Sequence, residues 1–105
     1  MNTIAIFTTI DSHERAREIA SALVERKLAA CVQISNIESV YEWQGVVQND
    51  TEYRIMIKTT SDRYDAAEKA IRELHSYELP AIYAFAAERV FAPYAEWVAE
   101  NSTAS

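Results

Sequence analysis

The stretch LAACVQISNIESVYEWQG, residues 28–45, continues into VVQNDTEYRIMIKTT, residues 46–60, and this pair of segments decides the predicted fold. Apolar and polar residues alternate at period two on both sides of Gln44–Gly45, and that dipeptide is suited to a two-residue turn. We therefore predict a long β-hairpin whose first strand starts near Ala30 and whose return strand covers Val46–Thr59.

The first strand of this hairpin changes the parity of its apolar residues. Val32 and Ile34 occupy even positions, whereas Tyr41 and Trp43 occupy odd positions. Side chains of a strand alternate between its two faces, so a parity change is typical of an irregularity in the strand. We predict a bulge or bend near Ser35–Asn36.

Shorter elements flank the hairpin. The segment DSHE, from Asp11, resembles a capping box with an aspartate N-cap and predicts a helix over Ser12–Lys27. A second helix begins near Ser61, and the segment YELP ends it because a residue before proline disfavours helical geometry. The remaining predicted elements are a first strand over Thr3–Thr9, a fourth strand over Ala81–Ala87 and a last short helix at Pro93.

The predicted order is βαββαβ with a C-terminal helix, which is the α+β, ferredoxin-like split βαβ sandwich. We expect residues 1–105 to form a single domain of this kind, because the length suits one domain. Right-handed crossovers place both long helices on one face of an antiparallel sheet. The other face and the strand edges then need a cover, which favours an oligomer.

The charge balance excludes some partners. Ten Lys and Arg stand against sixteen Asp and Glu, a net charge of −6. Phosphate backbones and anionic lipids attract clusters of basic residues, so we expect neither nucleic acid nor membrane as a partner. The single cysteine excludes a disulfide within the chain, and the first fifteen residues lack signal-peptide features, so we expect a cytoplasmic protein.

The ferredoxin-like layout hosts many functions, and several lack their motifs here. The chain has no Gly-rich aromatic motif of RNA-recognition modules, no Gly-rich anion loop and no pair of cysteines two residues apart. No acid and base stand at a readable catalytic spacing, so we expect a protein that is not an enzyme.

The segments KLAACVQI, SVYEWQG, IKTT, LHSYELP and PYAEW occur in this order over nearly the whole chain. Together they resemble the CutA family of divalent-cation-tolerance proteins. The resemblance implies a tight homotrimer of ferredoxin-like subunits, similar to PII signalling proteins, with long strands that pair between subunits. It also implies a link to copper and other divalent metal ions and no agreed enzymatic activity.

The resemblance further implies a cleft between subunits. Cys31, Glu52 and His75 are the candidate metal ligands near that cleft, since thiolate, imidazole and carboxylate suit copper or zinc. Lys58 and Tyr77 are candidate residues for ligand binding in the same cleft.

Other candidate roles rest on the hairpin and on the single cysteine. Tyr41 and Trp43, near the hairpin tip, are expected to be buried against a neighbouring subunit rather than within their own chain. Cys31 has three open interpretations, namely a metal ligand, a small buried hydrophobe and a nucleophile, and burial is the commonest state of a free cysteine.

Two positions depart from the pattern of copper-binding bacterial relatives. Those relatives have a cysteine near the end of the first strand and two adjacent histidines after the second helix, where this chain has Phe7 and Leu74 and retains only His75. The sequence therefore leaves two functions open. One is a trimeric metal-responsive sensor or binding module, and the other is a structural trimer or signalling scaffold that docks a partner protein without metal.

Overall fold

The computed structural model describes residues 2–103, and its elements follow the predicted order. The strands are β1 (Thr3–Ile10), β2 (Cys31–Trp43), β3 (Val46–Thr60) and β4 (Ile82–Ala86), and the helices are α1 (His13–Glu25), α2 (Tyr64–Leu74) and α3 (Ala92–Glu100). A 3₁₀ turn, Ser61–Arg63, leads into α2. The prediction of an α+β ferredoxin-like fold with a C-terminal helix is confirmed.

The four strands form one antiparallel sheet in the order β2-β3-β1-β4. β1 pairs with β3 only from Tyr53 to Thr60, whereas β2 pairs with β3 along its whole length. The part of the hairpin between Ile37 and Glu52 therefore extends beyond the other two strands. β2 and β4 are the edge strands. No strand among residues 2–103 pairs with their outer backbone groups, so these groups are available to a strand of another chain.

The core lies between the sheet and helices α1 and α2. Even-numbered residues of β1 and odd-numbered residues of β3 point toward the helices, because successive side chains of a strand alternate between its two faces. The helices contribute a stripe at spacings of three and four residues. The side chains that are fully buried here are mainly β-branched or leucine: Ile6, Ile10, Ile19, Leu23, Ile55, Ile57 and Ile71.

The opposite face of the sheet, here called the open face, carries aromatic residues. The ring of Phe7 on β1 stacks on Tyr83, with centroids 5.5 Å apart, and meets Phe85 edge-on at 5.9 Å. Tyr83 and Phe85 remain about half and two-thirds exposed, at 48% and 64%. Helix α3 packs against β3 and β1 and buries Val98. The open face is thus only partly covered within one chain.

The hairpin turn is as predicted. Gln44 and Gly45 both have positive φ, 51° and 81°, which is the geometry of a type I′ turn between Trp43 and Val46. Glycine reaches this region without strain, and the backbone twist of a type I′ turn matches the right-handed twist of the two strands.

The predicted bulge near Ser35–Asn36 is wrong. β2 and β3 keep one register from Cys31 opposite Lys58 to Trp43 opposite Val46. The parity changes because the surroundings of the strand change. Val32 and Ile34 face the helices, whereas Ile37, Tyr41 and Trp43 point to the open face. Val40 keeps the parity of the helix side but is 66% exposed. The hairpin there has passed the end of the helical layer.

Both ends of α1 differ from prediction. The N-cap is Ser12, whose Oγ accepts a 3.2 Å hydrogen bond from the backbone N–H of Arg15, so Asp11 does not cap the helix. The helix ends at Glu25 because Lys27 adopts φ 59°. The Lys27 and Leu28 N–H groups donate to the carbonyls of Val24 and Leu23, at 3.1 and 2.9 Å. This is a Schellman motif with lysine at the position that glycine usually occupies.

Candidate ligand-binding site

A pocket of about 610 Å³ opens on the open face where the hairpin extends beyond the sheet. Its walls are the odd-numbered side of β2 and the segment 77–81 that links α2 to β4. The lining includes Ser39, Tyr41, Trp43, Glu52, Tyr77 and Leu79. This volume lies within the range of about 300–1,000 Å³ found for small-molecule sites.

Register explains why these side chains meet. Ile37 lies opposite Glu52, and Tyr41 opposite Gln48, so odd residues of β2 and even residues of β3 share one face. Thr9 of β1 belongs to the same face through its pairing with Arg54. The register of the long hairpin therefore determines which side chains of β2 and β3 line the pocket.

Glu52 and Tyr77 form the polar contact at the centre of the pocket. The hydroxyl of Tyr77 donates a 2.7 Å hydrogen bond to Oε2 of Glu52, and Glu52 is only 7% exposed. Burial, and then the hydrogen bond to this carboxylate, strongly raises the pKa of Tyr77, so the phenol stays protonated and keeps donating.

His75 anchors the start of the linking segment. Its Nε2 lies 2.7 Å from the carbonyl oxygen of Thr9, and its Nδ1 accepts a 3.0 Å hydrogen bond from the Tyr77 N–H. A carbonyl only accepts and an amide only donates, so the proton is on Nε2 and the ring is neutral. Both nitrogens are occupied, which makes His75 a positioning residue for Tyr77.

Tyr41 and Trp43 form the outer wall of the pocket and stay 42% and 45% exposed in the single chain. The Tyr41 hydroxyl donates a 2.8 Å hydrogen bond to Asp50 across the hairpin. This bond is the main cause that raises the pKa of Tyr41. The burial of Tyr41 and Trp43 against a neighbouring subunit stays a prediction.

Cys31 and Lys58 lie at the other end of the open face. They are direct partners in the β2–β3 register, and the Lys58 ammonium lies 5.7 Å from the ring centroid of Tyr94. Lys58 lies six positions after Glu52 along β3, which at about 3.3 Å per residue is about 20 Å. Cys31 is a half-buried free thiol. One chain therefore does not bring Cys31 to Glu52 and His75.

The donor set within one chain does not fit a bound metal ion. Among residues 2–103, no three His, Cys, Asp or Glu side chains are placed to hold one. His75 would have to release a hydrogen bond before it could ligate, and the Tyr77 hydroxyl donates to the Glu52 oxygen that faces it. A metal site that joins the three predicted ligands requires groups from two chains.

Comparison with known proteins agrees with this fold. The CutA1 divalent ion tolerance protein family matches residues 4–101. The chain belongs to the CutA1 family. It is 42% identical to Protein CutA of Mus musculus over 95 aligned residues. The aligned region covers 90% of this chain and 54% of the mouse protein. It is 39% identical over 98 residues to the divalent-cation tolerance protein CutA of Thermus thermophilus, with coverage of 92% and 95%.

The chain spans 64% of the length of the Xenopus laevis CutA homolog and about half of the mouse protein, at 54%. Solved CutA structures superpose closely. The CutA1 of Ehrlichia chaffeensis gives a TM-score of 0.92 at 36% identity, covering 97% of this chain and 96% of that one. The periplasmic divalent cation tolerance protein CutA of Archaeoglobus fulgidus gives 0.93 at 35% identity, covering 96% and 99%.

These findings confirm the resemblance seen in the sequence motifs. Among residues 2–103, none of the helices combines the length and the hydrophobicity that a membrane-spanning helix needs.

The sequence pointed to Glu52, Tyr77, Tyr41 and Trp43 but missed part of the pocket lining. Ser39 could have been found, since it shares the parity of Tyr41 and Trp43. Leu79 lies in an irregular segment without periodicity, so no sequence signal places it at the pocket.

Proposed function

We propose that this CutA1-family chain works as a homotrimeric binding module in the response to divalent metal ions, with its ligand clefts where the pocket of one subunit meets the next. The alternative scaffold function makes no use of the pocket. The pocket, in which the part-buried Glu52–Tyr77 hydrogen bond lies among aromatic and apolar side chains, supports the binding module over the scaffold.

The main support for the proposed trimer is the exposed apolar surface of the extended hairpin. Val40, Val46 and Val47 are 66%, 59% and 71% exposed, and Tyr41 and Trp43 lie beside them. A two-stranded ribbon with apolar residues on its surface is marginal in water by itself. Pairing with another chain buries these side chains and satisfies the outer backbone groups of β2.

The open face supports the same assembly. Phe85 and Tyr83 on the edge strand β4 form an apolar patch with Phe7 of β1. Arg54 lies 5.9 Å from the centre of the Phe7 ring. Aromatic and arginine side chains are enriched in the interfaces of oligomers. We assign this patch to contacts between subunits.

The proposed role in the response to divalent metal ions rests on membership of the CutA1 divalent ion tolerance protein family. Since one chain does not assemble Cys31, Glu52 and His75, we propose that metal ions act on the assembled protein. The composition, with one cysteine and a net charge of −6, suits a reducing cytoplasm, and this location is part of the proposal.

The test is a native mass spectrum of reduced protein purified without affinity tag or chelator. The proposal predicts a complex of three 11.9 kDa chains, together with any retained ligand. A spectrum with only single chains contradicts the binding module. A trimer that holds neither metal nor metabolite, and that co-purifies with a stoichiometric partner protein, favours the scaffold.

A further inference from the structure

The walls of the pocket are aromatic and acidic. Tyr41, Trp43 and Tyr77 supply three rings, and Glu52 and Glu78 supply carboxylates. Within the described residues, the lining contains no lysine or arginine. Aromatic rings attract cations through their faces, and carboxylates attract them through charge. An anionic ligand would meet repulsion from both carboxylates.

Glu52 has no cationic partner among residues 2–103. The only salt bridge found there joins Arg72 to Glu68, on the far side of the molecule in helix α2. Glu52 is 7% exposed, and the Tyr77 hydroxyl is the one side-chain donor that reaches it in the described chain. A buried carboxylate with a single neutral donor is costly, and it retains acceptor capacity for a charged donor.

The size and donor set of the pocket point to an organic cation and away from a bare ion. About 610 Å³ is far more than one metal ion occupies, and hard cations need six or more oxygen ligands. Apolar lining residues such as Leu79 and Ala81 suit a hydrocarbon group attached to the charge.

We propose that this pocket binds a small organic cation, with an ammonium or guanidinium group at Glu52 and its hydrocarbon part between Tyr41, Trp43 and Leu79. This inference deepens the proposed function and rests on it, because it names the ligand class of the same cleft. The Tyr77 hydroxyl holds one carboxylate oxygen, and the cation contacts the other.

The test is isothermal titration calorimetry of the full chain with n-butylguanidinium and n-butylammonium chloride. The neutral and anionic probes of similar size are n-butanol and sodium butyrate. We expect saturable binding of both cations at one per chain, at least tenfold tighter than n-butanol, and no binding of butyrate.

The main variant is Glu52→Gln, which keeps the shape of the side chain and an acceptor for Tyr77. We expect it to weaken cation binding at least tenfold. Its matched control is Glu38→Gln, which makes the same charge change on the opposite face of β2 and leaves binding within twofold. Trp43→Leu keeps an apolar side chain for the proposed subunit contact but removes an aromatic wall of the pocket, and we expect it to weaken cation binding about threefold.

Equal affinity for n-butanol and the cations, or wild-type binding by Glu52→Gln, overturns the inference. So does an absence of cation binding combined with a changed subunit number in Glu52→Gln, because the cation is then a lysine or arginine side chain of a second copy. Sedimentation of the same samples separates the two proposals. If the protein binds the cations but is not a trimer, only the proposed assembly is wrong. If it is a trimer but binds the cations no more tightly than n-butanol, only the proposed ligand class is wrong.

Discussion

The backbone N–H of Tyr77 donates to Nδ1 of His75, while the Tyr77 hydroxyl donates to Glu52 on the hairpin, at 3.0 and 2.7 Å. These two bonds tie the irregular segment after α2 to β3, and Nε2 of His75 adds a third link to Thr9 on β1. The pocket is thus held by a short polar chain that connects three separate elements of the fold.

Stability at alkaline pH should depend on Tyr77. Its pKa is raised in the folded chain by burial and by the bond to Glu52, so its contribution is present below the unfolded pKa of about 10 and is lost as pH rises above that value. We expect Tyr77→Phe to lose less stability than the wild type between about pH 9.5 and 11. Urea denaturation at each pH measures this difference.

Glu52→Gln is the companion to that measurement. It removes the negative charge near the phenol but leaves the burial in place, so its alkaline loss should fall between those of the wild type and Tyr77→Phe. If the three proteins lose stability in parallel, Tyr77 does not titrate as the structure requires.

His75→Ala should destabilise the fold by about 1–3 kcal/mol, because it leaves the Thr9 carbonyl and the Tyr77 N–H without their partner. The matched control is His13→Ala. His13 lies at the exposed start of α1, where its ring stacks on Tyr53 at 4.9 Å, and we expect a loss of about 0.5–1 kcal/mol. Thermal unfolding of both variants checks the order, and equal losses would remove the anchoring role from His75.

Lys27→Gly should stabilise the protein by about 0.5–1 kcal/mol. Lysine at φ 59° carries the strain of the left-handed region, which glycine does not, although glycine gains entropy in the unfolded chain. Arg26→Gly is the control, since Arg26 has φ −84° and offers no strain to relieve. Chemical denaturation should give opposite signs for the two variants. A loss of stability in Lys27→Gly would contradict the strained helix end.

Trp43→Lys should weaken the assembly. The proposal buries this ring between subunits, and a charged side chain there meets a large desolvation cost. Glu42→Lys, on the opposite face of β2, places the same side chain one residue away and should leave the subunit number unchanged. Sedimentation velocity at micromolar concentration distinguishes them. Equal subunit numbers in both variants would place Trp43 outside the interface.

The sequence was sufficient for the order of elements because local signals agree with it. The period of two in β2 and β3, the type I′ turn at Gln44–Gly45 and the stop at YELP each act over a few residues. The end of α1 was harder to predict. Lys27 is not a residue expected at positive φ, and only the hydrogen bonds of Lys27 and Leu28 reveal the motif.

The false bulge shows the limit of periodicity. A change of apolar parity was assigned to backbone irregularity, but the strand is regular and its surroundings change instead. Whether a strand face meets helices or lies open depends on where helices α1 and α2 end in space, which period-two patterns do not contain. The pocket was only partly predictable for a related reason, since His75 and Thr9 are 66 positions apart in sequence.

The proposed assembly pairs the outer edge of β2 with a strand of another chain, and amide hydrogen exchange measures this pairing residue by residue. We expect slow exchange at the outward-pointing amides of Cys31–Trp43 at micromolar concentration, and we expect Trp43→Lys to lose this protection together with the assembly. Fast exchange at these amides, in a protein whose β1 and β3 amides remain protected, would contradict it.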